Sequence, residues 1–208
     1  MHINPSKTLK VGITGGIGTG KTTVCKYFEK LNIPIYYSDD RAKILMNEDK
    51  RIKAALQKEF GEEVYTENGI LNRPFLAQIV FNNEMKLKIL NSIVHPLVEE
   101  DYLQWHENLA KQNIPYTIKE SAILFESGLD KHVDKTIVVT APLSARIERV
   151  MARDNSTKEA ILARIHKQMP QAEKDKLADF LIENIDQNSL AKQVAIIDKD
   201  LRQIAQNQ

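Results

Sequence analysis

Residues 14–23 read Thr14-Gly15-Gly16-Ile17-Gly18-Thr19-Gly20-Lys21-Thr22-Thr23, after the apolar run Leu9-Lys10-Val11-Gly12-Ile13 and before Val24-Cys25-Lys26-Tyr27-Phe28. From Gly15 to Thr22 every fixed position of G-x-x-x-x-G-K-[ST] is met, and the pattern lies where it must, between a predicted strand and a predicted helix. A phosphate chain needs many donors at short range. Glycines let the backbone wrap close and turn successive N–H groups inward as an anion nest. A helix opening near Lys21 adds its unpaired first-turn N–H groups and its positive dipole end. Gly16, Ile17, Gly18, Thr19, Gly20, Lys21, Thr22 and Thr23 are therefore candidate contacts of a nucleoside triphosphate. Lys21 would place its ammonium on the β- and γ-phosphates, and the Thr22 hydroxyl would ligate Mg²⁺. The rival reading, a glycine-rich turn matching by chance, is disfavoured by the strand and helix on either side. The dinucleotide fingerprint G-x-G-x-x-G gives Lys21-Thr22 no role.

The chain has 208 residues, enough for one sizeable core with an added subdomain or lid, so a single domain spanning 1–208 is expected. A net charge of +1 without a long block of one sign leaves no footprint for nucleic acid, so any anionic ligand must be held by a few placed cations. Residues 1–7 lack the apolar core of a signal peptide, and no apolar run approaches membrane-spanning length. A cytoplasmic location and no membrane partner follow as expectations. Oligomeric state is not legible. Cys25 is the sole cysteine, which excludes an internal disulfide and fits a small residue packing the first helix on the sheet better than a nucleophile.

Beyond the first helix, Ile33-Pro34-Ile35-Tyr36-Tyr37 predicts a second strand running into Ser38-Asp39-Asp40-Arg41. Ligands of open α/β sheets collect beyond the carboxyl ends of strands, so Asp39 or Asp40 could orient an attacking hydroxyl and accept its proton. Equally, Ser38 or Asp39 could simply cap the next helix. Helical spacing puts Ile52, Leu56 and Phe60 on one face, with Gly61 as a stop, and Pro74 fits a first helical turn near Arg73. Two further helices are expected at about 84–93 and 96–112, with His95-Pro96 as the break between them. Residues 114–126 contain the next strand, and Lys135 to Pro142 is a β-branched run that predicts another.

Leu143 to Arg153 is helical, with Arg146, Arg149 and Arg153 on or near one face. Ser156-Thr157-Lys158-Glu159 has capping-box form and opens a helix on which Arg164 and Gln168 share a face. Such a basic hairpin after a core strand suits a lid that neutralises a transferring phosphoryl; a solvated face is the alternative, and the phosphate loop in the same chain favours the lid. Asp179 to Asn184 predicts the last strand and 188–205 a closing helix. Five strands alternating with helices argue for an α/β, three-layer fold on a parallel five-stranded sheet.

Taken together, Thr14 to Thr23, Asp39, Gly69 to Arg73 with Val80-Phe81, His95-Pro96-Leu97, Leu124-Phe125-Glu126, Arg149, Arg153-Asp154, Arg164 with Gln168-Met169-Pro170, and Asp179 to Asn184 recur in the order and spacing of one family. The chain resembles the dephospho-coenzyme A kinases, and the resemblance covers nearly its whole length. It implies a P-loop NTPase fold with ATP as co-substrate, Mg²⁺, and transfer of the γ-phosphoryl to the ribose 3′-hydroxyl of dephospho-CoA. It implies Asp39 as catalytic base, with Lys21 on the phosphates and Arg149 and Arg153 serving the phosphates or adenine of ATP. It also puts Arg73, His95, Glu126, Arg164 and Gln168 on the acceptor side. On the same grounds the core covers about 1–46, 113–149 and 178–208, a helical acceptor-binding subdomain about 47–112 and a lid about 150–177. Two positions depart from the family pattern: Tyr37 stands where many members carry a second aspartate, and Ala122 where many carry proline. The nearest alternative is another P-loop kinase acting on a nucleoside monophosphate or a sugar acid. A GTPase switch is disfavoured, since neither an Asn-Lys-x-Asp motif nor an Asp-x-x-Gly switch is present.

Overall fold

The computed structural model describes residues 8–81 and 83–207, and of residues 187 and 188 the backbone alone. The reading of residues 1–7 as lacking a signal-peptide core lies outside these residues. In chain order the elements are β1 (Leu9–Thr14), α1 (Lys21–Lys30), β2 (Ile35–Tyr37), α2 (Ser38–Glu48), α3 (Lys50–Phe60), α4 (Arg73–Val80), α5 (Glu84–Ala110), β3 (Tyr116–Glu120), β4 (Lys135–Thr140), α6 (Leu143–Asp154), α7 (Lys158–His166), α8 (Gln171–Leu177), β5 (Phe180–Glu183) and α9 (Gln187–Gln206). Short 3-10 turns occupy Glu62–Val64 and Leu129–His132. The chain divides into two compact units, a sheet unit running to Tyr36 and resuming at His106, and a helical unit from Tyr37 to Trp105.

In the sheet unit the strand order is β2-β3-β1-β4-β5, with β1 parallel to β3 and β4, and β4 parallel to β5. A central parallel strand is covered on both faces, which is why Ile137, Val138 and Val139 are all fully buried in succession. α1 packs Val24, Cys25 and Phe28 inward, and the Phe28 ring meets Tyr116 of β3 edge-on, with centroids 6.4 Å apart. α9 lies against α1 and β3. There Asp198 accepts from the Tyr116 hydroxyl at 2.7 Å and from Arg202, which also donates to the Leu31 carbonyl at 3.3 Å. Connections leave β1 towards β2 on one side and β4 towards β5 on the other, so the carboxyl ends of β1 and β4 form the switch point where α/β sheets bind ligands.

The expected strand within 114–126 is short and stops at Glu120. The apolar residues beyond it form a turn, held by bonds such as Leu129 N–H to Leu124 O at 2.9 Å, and this turn lays the buried Leu124 side chain onto Gly12 of β1. α7 is capped one residue later than expected. The Thr157 hydroxyl accepts from Ala160 N–H at 3.3 Å, because Asn155 takes the left-handed position that closes α6 and Ser156 turns back to the Asp154 carbonyl. The capping box is therefore not formed.

In the helical unit α3 buries Ile52, Leu56 and Phe60, as its spacing predicts. Asn72 caps α4, accepting from Phe75 N–H at 3.3 Å. The two helices expected on either side of His95-Pro96 are one, α5, with Pro96 inside it. An interior proline costs about 3 kcal/mol. Here Val94, Val98 and Tyr102 form a buried stripe one turn apart through the site, while Pro96 itself is exposed. Burying each such side chain contributes roughly 1.5–3 kcal/mol. The stripe outweighs the lost ladder bond.

Candidate functional site

The loop between β1 and α1 sits at the switch point, and its peptide groups can be accounted for one by one. Gly15 O accepts from the Lys21 ammonium at 2.9 Å. Gly16 O accepts from Thr19 N–H at 3.2 Å and from the Thr19 hydroxyl at 2.9 Å. The Ile17 carbonyl takes Arg146 Nε–H at 2.9 Å, the Gly18 carbonyl Arg149 at 3.5 Å, and the Thr19 carbonyl the Asn184 amide at 2.8 Å. The Ile17, Gly18 and Thr19 carbonyls are thus drawn outward to α6 and Asn184, while those of Gly15 and Gly16 are taken up by Lys21 and Thr19. A peptide whose C=O points one way turns its N–H the other way, so the Gly18 and Gly20 N–H groups face inward with the first turn of α1, as an anion nest requires. Gly18 and Gly20 have φ of 80° and 90°, and a Cβ on Gly18 would stand 2.5 Å from the Arg146 carbonyl, so no other residue fits. Gly20 is also the N-cap of α1, where no side chain competes for the helix N-terminus.

Thr22 and Thr23 are exposed in that first turn, open to a ligand. The Lys21 ammonium lies 4.0 Å from a Glu120 carboxylate oxygen at the end of β3. Among the described residues no group of three His, Cys, Asp or Glu side chains could hold a metal by itself. The exposed Thr22 hydroxyl suits a hard cation that takes the rest of its oxygen ligands from phosphate and water. Cys25 is fully buried, and burial together with the Glu120 charge pushes its thiol up, so it packs the helix as expected.

The arginines of α6 divide by burial. Arg146 is 5% exposed, and burial pulls its guanidinium below the ordinary value against the pull of Asp175. Arg149 also donates to the Asn184 carbonyl at 3.0 Å. Arg153 and Arg164 are more exposed, and both bind Asp154, at 2.6 and 3.0 Å. Their hydrogen bonds, Arg153 first, hold the Asp154 carboxyl well below the usual carboxylate range. Gln168 and Glu126, expected on the acceptor side, lie in this same neighbourhood. The Gln168 carbonyl accepts from Ile17 N–H at 2.9 Å, and Glu126 accepts from Met169 N–H at 3.1 Å and pairs with Lys174 at 2.6 Å.

In the helical unit Asp39 is exposed in the first turn of α2 and makes no side-chain hydrogen bond or ion pair among the described residues. Neither Ser38 nor Asp39 caps that helix; Tyr37 holds the N-cap position without a side-chain bond. Asp40 is paired with Lys43 at 2.7 Å. Arg73 opens α4, exposed to solvent. His95 is half-buried within α5 rather than at a helix end.

Sequence reasoning did not single out Asn184, Gln171, Lys174 or Glu120, and took Arg146 only as part of a basic face. For Glu120 and Asn184 the available signal was weak, a polar residue at the carboxyl end of a strand, where ligands collect; Gln171 and Lys174 on α8 carried no such signal.

The sequence model of the family described as CoaE: Dephospho-CoA kinase matches residues 9–192. The dephospho-CoA kinase of Salinibacter ruber is 41% identical over 174 residues, which cover 84% of this chain and 87% of the relative. A Thermus thermophilus crystal structure superposes with a TM-score of 0.80 at 32% identity, covering 93% of this chain and 98% of the other. The dephospho-CoA kinase structure from Campylobacter jejuni gives a TM-score of 0.71 at 26% identity, with 93% and 97% covered.

Proposed function

The chain belongs to the dephospho-CoA kinase family, and we propose that it transfers the γ-phosphoryl of ATP to the ribose 3′-hydroxyl of dephospho-CoA, giving coenzyme A and ADP. The observation that carries this reading is the loop whose carbonyls at Gly15 and Gly16 are taken up by Lys21 and Thr19 and whose carbonyls at Ile17, Gly18 and Thr19 are held from outside by Arg146, Arg149 and Asn184. What remains in its hollow is a set of N–H donors with Lys21 beside it. That is an anion seat of triphosphate chemistry.

In this mechanism the acceptor oxygen forms its bond to the γ-phosphorus as the bond to the bridging oxygen of ADP breaks, and the hydroxyl proton passes to Asp39. Lys21 holds the β- and γ-phosphates. Arg149 and Arg153 serve the nucleotide phosphates and neutralise charge that develops in transfer. Thr22 would hold Mg²⁺, and the ion would supply charge neutralisation on the phosphate oxygens. Arg73, His95, Glu126 and Arg164 are assigned to the acceptor side, residues 47–112 to an acceptor-binding subdomain and 150–177 to a lid. A cytoplasmic location belongs to the same proposal. No helix of the described residues is long and apolar enough to cross a membrane.

The test is a mass-spectrometric product assay with ATP, Mg²⁺ and dephospho-CoA, run beside Lys21→Ala. A gain of one phosphoryl group that depends on Lys21 supports the reaction and acceptor together. ATP binding without product would discard the acceptor.

A further inference from the structure

The carbonyls of the loop are held by its own residues, by arginines and by Asn184, but two of its N–H groups are held by another device. Gly16 N–H donates to the Gln171 side-chain carbonyl and Ile17 N–H to that of Gln168, both at 2.9 Å. The two glutamines bracket Met169 and Pro170, the junction between α7 and α8, more than 150 residues along the chain from the loop. Their frame is itself fixed. Glu126 receives Met169 N–H at 3.1 Å and the fully buried Lys174 ammonium at 2.6 Å, and Lys174 also donates to the Ala122 carbonyl at 3.2 Å. The Gln171 amide donates to Asp175 at 2.8 Å and to Val139 O at the end of β4 at 3.4 Å.

We propose that Gln168 and Gln171 are positioning residues of the nucleotide site, a clamp from the α7–α8 junction that sets the orientation of the Gly15–Gly16 and Gly16–Ile17 peptides. Without these acceptors neither N–H keeps its partner, and either peptide is free to turn and carry the loop out of the shape in which the Gly18 and Gly20 N–H groups face inward. A neutral acceptor is needed for this work, because a carboxylate at the same place would put negative charge beside the triphosphate. The inference rests on the reading of the loop as the ATP site, and it moves Gln168 from the acceptor side to the nucleotide side.

Gln168→Leu and Gln171→Leu keep the side-chain bulk and remove the acceptor. Binding of a non-hydrolysable ATP analogue is measured by calorimetry, KM for each substrate by steady-state assay, and amide exchange of Gly16 and Ile17 by NMR on the nucleotide-free protein. In the native protein both amides exchange slowly, and each variant releases its own amide. Each also raises the Kd of the analogue and the KM for ATP about tenfold, the scale expected for one unsatisfied backbone donor, with KM for dephospho-CoA unchanged. Fast exchange of both amides in the native protein, or unchanged affinity for the analogue in both variants, overturns the clamp. So does a rise confined to the KM for dephospho-CoA, which would return Gln168 to the acceptor. An equal rise in both KM values with a lowered melting temperature would mark a general structural role and overturn it too. A native protein that fails to bind the analogue at all removes the ATP reading itself, and is recognised by that failure.

Discussion

Asp39 and Asp40 are neighbours in sequence and differ in what they touch. Asp40 is occupied by Lys43 at 2.7 Å, whereas Asp39 is exposed in the first turn of α2 and engages no side chain among the described residues. A base must be open to the proton it takes, so the burden falls on Asp39. Asp39→Asn is expected to leave the Kd for ATP within about twofold and to lower kcat by roughly 10²–10⁴-fold, the usual weight of a general base, with Asp40→Asn close to native. Stopped-flow and steady-state kinetics of the two variants decide it, and a reversed ranking would move the role to Asp40. At this scale the phosphate loop was legible from Gly15 to Thr22, because its spacing follows from backbone chemistry that any such site needs. The groups that hold its outer face were not. Arg146, Gln171 and Asn184 reach it from positions more than 100 residues away, and no local pattern marks a side chain as the partner of a distant carbonyl.

Elements were legible where one force dominated. β1, β4, α3 and α9 follow from buried apolar spacing, whereas α5 was divided in two because proline punctuates sequence more strongly than it breaks a helix with a buried stripe. Residues 122–125 look like strand because they are apolar, yet they turn so that Leu124 can cover Gly12. In both places tertiary burial overrides local preference. α5 therefore carries a removable cost. Pro96→Ala restores a ladder donor to the Ser92 carbonyl, against about 0.4–1 kcal/mol of added chain entropy in the unfolded state, and should stabilise by roughly 1–2 kcal/mol. Urea unfolding of the variant gives the number. A loss of stability would mean that the proline ring packs in a way its exposure does not suggest.

The fold class was legible from five strands alternating with helices, but the order β2-β3-β1-β4-β5 was not, since burial says only that β1, β3 and β4 are interior and not how they are ordered. What fixes β5 beside β4 is a tie that sequence spacing does not reveal. The Asp179 carboxylate accepts Thr136 N–H at 2.7 Å, the Thr136 hydroxyl at 2.9 Å and the Lys135 ammonium at 2.8 Å. Burial raises its pKa, and the bonds from Lys135 and Thr136 together outweigh that and hold it below the ordinary value. A carboxylate lowered by folding adds stability that is fully present above its unfolded pKa, about 3.9, and is lost as pH falls through the folded value. Asp179→Asn removes the charge and keeps one acceptor for Thr136, so it should cost about 1–2 kcal/mol at pH 7. The gap between native and variant urea midpoints should shrink below about pH 4, as the native carboxylate takes up its proton. A gap that persists unchanged into strong acid would assign the loss to altered packing, and the charge would then not be what secures the edge of the sheet.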